Sequence, residues 1–360
     1  MVKILHAADF HLDSPFSGLT EERARQRRRE CRELVSRMVD YANSQGVELM
    51  LLCGDLFDGR RVYAQTAEEL VSALARFHGQ VVIAPGNHDP WSRHSPYARQ
   101  EWPKNVHIFR EEGLERVDFP QYGCAVYGAA FTAEEAPPLE LTESLGREGE
   151  VTLLALHGEV TNGTSRYRAI SPRMLERSGA DYAALGHVHS YGGVQYAGKT
   201  AYAYCGCPEG RGFDETGEKG FLVGEVGEGK AEMHFVPFAR RRYQEISMDV
   251  TGQDPAGQAE ALLAGRGEDI CRLTLIGERS VPVSREALEE RLAPLVWQLE
   301  ICDKRREAED LWSRCDEDSL RGLFLARLRE AYDGADEEQK RIIEQAARYG
   351  LAAMEDREME

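Results

Sequence analysis

The sequence lacks the long apolar runs that mark a membrane protein or a secreted precursor. No apolar run approaches the roughly 18 residues that are needed to span a bilayer. The N-terminal stretch MVKILHAADFHLD is interrupted by His6, Asp9 and His11 before a signal-peptide core could form. We therefore expect a cytoplasmic protein that has no membrane segment.

Cysteine occurs at eight positions but lacks the arrangement of a disulfide scaffold or a zinc site. There is no CxxC pair and no dense, even spacing. Cys53 and Cys124 lie inside apolar runs, so reduced and mostly buried thiols are expected. Cys205 and Cys207 form a CxC, but no second pair completes a thiolate site for a metal ion.

Positive charge is scarce, because 44 basic residues stand against 62 acidic ones and give a formal net charge of −18. A chain of this charge does not wrap nucleic acid with its whole surface, since phosphate binding relies on lysine and arginine. Local basic clusters remain at residues 23–32, 60–61, 166–168 and 240–242. Each cluster taken alone is more typical of a solvated helix face or loop.

The rest of the composition, with 42% hydrophobic and 29% charged residues, is that of an ordinary soluble globular protein. At 360 residues the chain exceeds what a single core fills, so we expect a large domain and a smaller one. Apolar runs predict buried strands over residues 2–8, 48–53, 81–84, 151–156 and 182–185. Helical patterns over residues 21–43 and 66–78 separate the first three strands and indicate a βαβαβ series with parallel crossovers.

The pattern changes further along the chain and predicts three regions. Short strands with glycine-rich turns over residues 192–238 indicate an antiparallel end to a first domain, residues 1–240. Residues 241–302 alternate strand and helix patterns and predict a small α+β domain. Residues 303–360 carry two amphipathic helical patterns, marked by Leu320, Leu323, Phe324 and Leu328 and by Ile342, Ile343, Ala346, Ala347 and Leu351. These helices either pack on their own protein or dock a partner, and the sequence favours neither.

Histidine, aspartate and asparagine residues cluster at the carboxyl ends of five predicted strands. In open α/β sheets ligands bind at that edge, so these clusters are expected to converge. Carboxylate, imidazole and amide oxygen together suit Mn²⁺, Fe or Zn²⁺ rather than Ca²⁺. The predicted ligands are too many for one ion and fit two divalent ions: Asp9, His11, Asp55, Asn87, His157, His187 and His189.

The spacing of these ligands predicts how they hold the ions. A D-x-H or an H-x-H pair on an extended segment points both side chains to the same side. The pairs that begin at Asp9 and at His187 can therefore each grip an ion. Asp55 is expected to bridge the two ions, because the glycine before it allows a sharp turn. Two ions about 3.5–4 Å apart would clamp a phosphoryl group and activate a bridging water, which defines a phosphoesterase.

His88 follows the ligand Asn87 and is predicted to face the substrate. There an imidazolium could stabilise the transition state or protonate the leaving oxygen. Asp89 is expected to orient the His88 ring. The remaining histidines have no such context and are expected to be structural: His6, His78, His94, His107 and His234.

The motifs DFH, GDLFD, GNHD, LHGE and GHVH, in this order, resemble those of the calcineurin-like metallophosphoesterases over about residues 1–240. The opening KILHAADFHLDSPF and the small α+β domain are similar to the SbcD-type, YhaO-like branch of bacterial DNA-repair exonucleases. The resemblance implies an α/β fold: a four-layer α-β-β-α sandwich with a small α+β capping domain and a C-terminal helical tail. It also implies DNA as the substrate, Mn²⁺ as the metal, and a tail that binds an SMC-like ATPase.

The resemblance further divides the ligands between the ions and makes His88 the catalytic histidine. The set for one ion is Asp9, His11, Asp55 and His189, and the set for the other is Asp55, Asn87, His157 and His187. Where archaeal and eukaryotic nucleases of this family carry a further histidine, this sequence has Asp58. We expect Asp58 either to support a metal ligand or only to cap its loop.

Three functions are compatible with these residues. A nuclease is favoured by the resemblance and by Arg60 and Arg61, which could meet a phosphate backbone or simply line a solvated loop. A phosphatase or small-nucleotide phosphodiesterase is favoured by the net negative charge. A scaffold with a vestigial site is disfavoured by the intact ligand set. The resemblance also allows a homodimer, for which a stripe on the first helix offers a face if it does not belong to the core: Val35, Met38, Val39 and Tyr41.

Overall fold

The computed structural model describes residues 1–59, 61–141, 144–251, 255–278, 284–306 and 311–354. Arg60, one of the two arginines predicted to meet the substrate, lies outside the described residues. Within these ranges, no helix is long and apolar enough to cross a membrane. Six of the eight cysteines are buried thiols, which agrees with the expectation of mostly buried thiols.

Strands β1 to β14 and helices α1 to α4 precede residue 240. The strands are β1 Val2–Ala7, β2 Leu49–Leu52, β3 Gln80–Ile83, β4 Val106–Ile108, β5 Glu115–Phe119, β6 Cys124–Gly128, β7 Val151–His157, β8 Glu159–Val160, β9 Ala169–Ile170, β10 Tyr182–Gly186, β11 Gln195–Ala197, β12 Thr200–Tyr204, β13 Gly220–Gly227 and β14 Lys230–Pro237. The helices are α1 Glu21–Ser44, α2 Ala64–Ala75, α3 Pro96–Arg99 and α4 Pro172–Ser178. The sequence placed the end of α2 three residues later, but the Asn43 side chain binds the backbone of Arg76 and of His78, and the helix ends before them.

Two six-stranded sheets carry most of these strands, one ordered β14-β13-β1-β2-β3-β4 and the other β11-β12-β10-β7-β6-β5, while β8 and β9 pair with each other in a two-stranded sheet. Strands β1 to β4 run parallel, which confirms the predicted βαβαβ opening. The stretch 192–238 is only partly antiparallel. β11 pairs antiparallel with β12, and β13 with β14, but β12 pairs in parallel with β10. The reason is that β11 turns the chain back before β12 begins.

Helix α1 shows how the sequence specifies these layers. Thr20 caps its first turn, since the threonine hydroxyl accepts a hydrogen bond from the backbone N–H of Arg23. Along one face, apolar residues recur at helical spacing and are buried in the core, Val35, Met38 and Val39 among them. This stripe is therefore a core face, and it does not offer a surface for a homodimer.

Three buried clusters separate the layers of the fold. One lies between the two sheets and brings Leu51 of the first sheet to Leu153 of the second. Another packs α1 and α2 on the first sheet, with Leu34 against Met50 in the same cluster. The third packs α4 on the second sheet through Leu175. The result is an α-β-β-α sandwich, which confirms the predicted fold class.

The later elements are β15 Tyr243–Asp249, α5 Pro255–Leu263, β16 Ile270–Ile276, α6 Arg285–Leu292, β17 Gln298–Asp303, α7 Leu320–Asp333 and α8 Glu337–Met354. Their strands form one sheet in the order β15-β16-β17. Contacts divide the chain into two compact units: one of Met1–Ile246, Leu262–Leu273 and Leu292–Glu300, the other of Ser247–Ala261, Thr274–Arg291 and Ile301–Glu360. The three-domain division made from the sequence stays a prediction.

Helices α7 and α8 of the second unit pack against each other. Leu325 of α7 and Ala347 of α8 are fully buried in their shared cluster. Leu320, Leu323 and Ile342 are exposed, with 74%, 67% and 62% of their surface accessible. The tail thus buries part of its apolar surface and leaves part open, so packing and partner docking both remain compatible with it.

Candidate metal centre

The predicted ligands lie at the carboxyl edges of both sheets. Asp9 and His11 follow β1, Asp55 follows β2 and Asn87 follows β3 in the first sheet. The second sheet contributes three further ligands, His157 at the end of β7 and His187 and His189 just after β10. Ligand atoms of Asp9, His11 and His189 lie within 4.8 Å of one another, and so do those of Asp9, Asp55 and His157. The structure therefore brings the predicted clusters to one place.

The backbone at this place bends in an uncommon way. Asp9, His11, Asp55 and His187 all have positive φ, at 56°, 44°, 51° and 109°. A left-handed backbone costs a non-glycine residue about 1–2 kcal/mol, and such strain clusters at functional sites. The bends are held by hydrogen bonds between the two loops, from Asp9 N–H to the carbonyl of Gly54 and from His11 N–H to the carbonyl of Asp55. The side chains thus converge through turns after the strands, and not through the strand alternation predicted for D-x-H.

One group of acceptors surrounds His11 and His189, whose Nε2 atoms are 3.3 Å apart. His189 Nδ1 donates a hydrogen bond to Glu215 at 2.7 Å. His11 Nδ1 lies 3.1 Å from the Asp58 carboxylate. A carboxylate that receives Nδ1–H leaves the lone pair of Nε2 to a metal. Together with the Asp9 carboxylate, the ligand atoms of these two histidines lie within 4.8 Å of one another and form a site that fits a cation.

A second group of acceptors surrounds His157. Its Nδ1 donates a hydrogen bond to the carbonyl of Cys53 at 2.9 Å, which directs Nε2 into the site. Nε2 lies 3.0 Å from Asn87 Oδ1 and 3.4 Å from Asp55 Oδ2. The same Asp55 oxygen is 3.6 Å from Nε2 of His11. Asp55 therefore lies between the two groups, as a bridging ligand would.

His187 adds a second imidazole to this group from the same sheet as His157. Its ring centroid lies 5.3 Å from that of His157 and 5.1 Å from that of Tyr167. Its backbone N–H contacts both carboxylate oxygens of Asp9, at 3.0 and 3.1 Å. The residue thus holds the Asp9 carboxylate in place while its own ring faces His157.

Burial controls the ionisation of this cluster. Burial raises the pKa of Asp9 to about 7 and raises the pKa of Asp55 well above its usual range. Burial also lowers the pKa of His11 to about 4 and holds the pKa of His157 well below its usual value. Neutral imidazoles are metal ligands, and a divalent cation among them would favour the ionised carboxylates. The residues therefore fit the two divalent ions that the sequence predicts.

The His88 side chain is exposed, unlike the ligands behind it. Its ring centroid lies 4.8 Å from that of His11, and its backbone N–H donates a hydrogen bond to Asp55 Oδ1 at 2.9 Å. His88 thus stands at the solvent side of the cluster. Arg61 is also exposed, but among the described contacts none brings its side chain to the metal centre.

Asp89 does not orient His88 as predicted. It is fully buried, and its carboxylate accepts hydrogen bonds from the backbone N–H groups of Asp55, Phe57 and Gly86 and from the hydroxyl of Tyr97. Four donors occupy its two oxygens, which leaves no acceptor site for the His88 ring. Asp89 instead ties the loop after β2 to the loop after β3, and both loops carry predicted ligands.

Three residues around the site were missed from the sequence: Tyr97, Arg211 and Glu215. Arg211 contacts Asp58 and Glu215, the two carboxylates beside the imidazoles of His11 and His189. Arg211 and Glu215 lie between β12 and β13 in a segment without periodicity. The only available signal was the charged sequence RGFDE after the CxC. Asp58 does lie beside a ligand, as one of its two predicted roles required.

Comparison with known proteins extends these observations. A sequence model of the calcineurin-like phosphoesterases matches residues 2–191, more than half of the chain. Metallophosphoesterase YhaO of Bacillus subtilis is 29% identical over 343 residues, which cover 85% of this chain and 83% of that protein.

Two further relatives match a shorter part. A subunit of the nuclease SbcCD of Rhodobacter capsulatus is 27% identical over 216 residues, 55% of this chain and 50% of its own. The DNA double-strand break repair protein Mre11 of Aeropyrum pernix is 28% identical over 231 residues, 57% of this chain and 53% of its own. The matched residues 2–191 include all seven predicted ligands, and the chain belongs to the calcineurin-like phosphoesterases, hydrolases that use divalent metal ions.

Proposed function

We propose that this protein is a DNA nuclease that hydrolyses phosphodiester bonds with two divalent metal ions, and that these ions are Mn²⁺. The observation that carries the proposal is the position of His88. An exposed imidazole stands directly in front of buried carboxylate and imidazole groups, 4.8 Å from the ring of His11. A phosphoester that reaches the cluster from solvent therefore meets this imidazole first.

Each predicted ligand has a place in this proposal. The first ion would be held by Asp9, His11, Asp55 and His189, and the second by Asp55, Asn87, His157 and His187. When bound, two such ions lower the pKa of a water and neutralise charge on the phosphoryl oxygens. His88 would donate a proton to the leaving oxygen or stabilise negative charge there. Its backbone bond to Asp55 keeps it beside the bridging carboxylate.

DNA is proposed as the substrate because two relatives are named as a nuclease subunit and as a DNA break-repair protein. Arg61, exposed and close in sequence to Asp58, could meet a phosphate, and Arg60 is proposed for the same part. The exposed leucines of α7 and the exposed Ile342 of α8 offer a surface for an SMC-like ATPase partner. We propose that the partner, rather than the acidic tail itself, supplies further contacts to DNA.

The test is cleavage of end-labelled linear duplex and single-stranded DNA in the presence of Mn²⁺. Wild type is compared with His88→Ala and Asp55→Asn at matched metal loading. His78→Ala serves as the control, since His78 is an exposed histidine outside the cluster. We expect degradation by wild type and by the control, and loss of cleavage in the other two variants. Cleavage that survives both substitutions would refute the proposal.

A second candidate is a phosphatase or small-nucleotide phosphodiesterase of the same family. The observation that favours it is the net charge of −18, which repels a polyanion more than a small ester. Hydrolysis of a small chromogenic diester and of a monoester is measured beside duplex DNA. Rapid hydrolysis of a small ester without DNA cleavage, with or without an ATPase partner, would select this candidate.

A further inference from the structure

A single guanidinium joins the two carboxylates that stand behind one of the metal positions. Arg211 Nη1 lies 3.1 Å from Asp58 Oδ1, and Arg211 Nη2 lies 2.6 Å from Glu215 Oε1. The backbone N–H of Arg211 also donates to Glu215 Oε2 at 2.8 Å. We call Asp58, Arg211 and Glu215 together the Arg211 bridge.

The bridge meets the metal centre at two imidazoles. Glu215 accepts the hydrogen bond of His189 Nδ1, and Asp58 lies against His11 Nδ1. Both histidines turn their Nε2 atoms to the same point, beside Asp9. A planar guanidinium has five donors in a fixed fork and can hold two carboxylates at once, whereas a lysine ammonium acts as one point charge.

The other metal position has a different support. His157 is fixed by a backbone carbonyl, that of Cys53, at 2.9 Å. Asn87 lies 3.0 Å from the same histidine. Neither contact involves the Arg211 bridge. A change at Arg211 should therefore act on one position and spare the other.

We propose that Arg211 is a positioning residue that sets the metal affinity of the position formed by Asp9, His11 and His189. The proposal rests on the two-ion ligand sets of the proposed function. Asp58 and Glu215 are pulled toward each other by the shared guanidinium, and each fixes the rotation of one imidazole. Without the guanidinium the two carboxylates repel each other, and the rings of His11 and His189 no longer direct their Nε2 atoms to the same point. The ion at this position then binds more weakly.

The experiment is a titration of the metal-free full-length protein with Mn²⁺ alone, followed by electron paramagnetic resonance and calorimetry. Arg211→Gln removes the charge and the fork, and Arg211→Lys keeps the charge without the fork. Loss of an outer hydrogen-bond partner typically weakens metal binding about 10–100-fold. We expect both variants to bind one ion as wild type does and the second ion about 10–100-fold more weakly. The spectrum should then be that of an isolated Mn²⁺ at concentrations that give a coupled pair in wild type.

Arg116→Gln is the matched control. Arg116 is also a half-buried arginine that contacts two carboxylates, Asp118 and Glu150, but away from the centre. The Arg116→Gln variant should leave the affinities for both metal ions unchanged. Its thermal unfolding measures how much stability is lost when an arginine that bridges two carboxylates is removed. Glu215→Gln should weaken the same single ion, and combined with Arg211→Gln it should add less than the sum of the two effects.

Two results would overturn the proposal: wild-type affinity for both ions in Arg211→Gln, or equal weakening of both ions in Arg211→Lys. Neither depends on DNA, because no substrate is present in the titration. A protein that binds two ions with the expected Arg211 dependence but cleaves no DNA would overturn the proposed nuclease alone. A wild-type protein that binds no more than one ion would overturn the two-ion ligand set and this proposal with it.

Discussion

The hydrogen bond between Tyr97 and Asp89 gives a prediction whose size follows from the structure. The tyrosine hydroxyl donates to Asp89 Oδ2 at 2.5 Å, and both residues are buried, with 2% and 0% of their surfaces exposed. Tyr97→Phe removes this hydrogen bond and keeps the ring. A hydrogen bond to a charged group contributes about 1.5–3 kcal/mol, so we expect the free energy of unfolding to fall by about 2 kcal/mol. In a unit of this size that lowers the unfolding temperature by about 4–8 °C.

The assay is equilibrium denaturation of the metal-free protein at fixed pH, supported by calorimetry. Tyr202→Phe is the matched control, because Tyr202 is 7% exposed and its hydroxyl donates to the neutral Gln195 Oε1 at 2.8 Å. A neutral hydrogen bond contributes about 0.5–1.5 kcal/mol, so the control should cost clearly less. Tyr97→Phe is then repeated in an Asp89→Asn background, where the charged acceptor is gone.

Two outcomes would contradict this prediction. If Tyr97→Phe costs no more than Tyr202→Phe, the charge of Asp89 does not strengthen the bond. If Tyr97→Phe costs the same in the Asp89→Asn background as in wild type, the two side chains are not coupled. Either result would refute the role of Asp89 as the buried anion that ties the two ligand loops together.

Three further predictions concern the metal centre. Burial raises the pKa of Asp9 to about 7, so the metal-free folded protein keeps a proton that the unfolded chain releases near pH 4. The stability that Asp9 contributes is therefore present below pH 4 and is lost as the pH rises toward 7. The unfolding free energy of wild type minus that of Asp9→Asn should fall across this window, and a difference that does not change with pH would contradict the raised pKa. A Cβ at Gly86 would lie 2.2 Å from Asp55 Oδ1, so Gly86→Ala should lower the free energy of unfolding by about 1–3 kcal/mol and weaken Mn²⁺ binding. The control is Gly113→Ala, whose added Cβ has nothing within 4 Å and should leave a Mn²⁺ titration unchanged. Equal titrations for the two variants would argue against the close approach at Gly86. Removal of metal by a chelator should lower the unfolding temperature of wild type, since an ion at 100 times its Kd adds about 2.7 kcal/mol to the free energy of unfolding. A shift of the same size in Asp55→Asn would show that the ion binds elsewhere.

The sequence was sufficient to predict that these residues lie together because of how parallel sheets are built. Each apolar run ends at a polar cluster, and the ends of neighbouring parallel strands share one edge. Asp9, Asp55 and Asn87 could therefore be assigned to one sheet edge from the sequence alone. The position of Asp55 between the two groups was also predictable from the glycine before it, and Gly54 does have a positive φ, of 86°.

The sequence was not sufficient where tertiary packing decides the contact. Glu215 and Arg211 come from an irregular segment, and its charged sequence alone does not indicate that they would reach His189 and Asp58. Asp89 follows His88 in the chain, and that proximity suggested a contact which the loop geometry does not make. The same limit applies to the helices of residues 303–360, because an amphipathic pattern does not distinguish a helix that packs on its own protein from one that binds a partner.

The predicted ligands come from two different sheets, Asp9 and Asp55 from the first and His157 and His189 from the second. An ion bound among them would link the two sheets, since the sheets could not separate while the ion was coordinated by residues of both. Its release would then become part of the barrier to unfolding and would lengthen the lifetime of the native state. Resistance to proteolysis in the cell would consequently increase with the concentration of available metal. A protein without its metal ions would be both inactive and rapidly degraded.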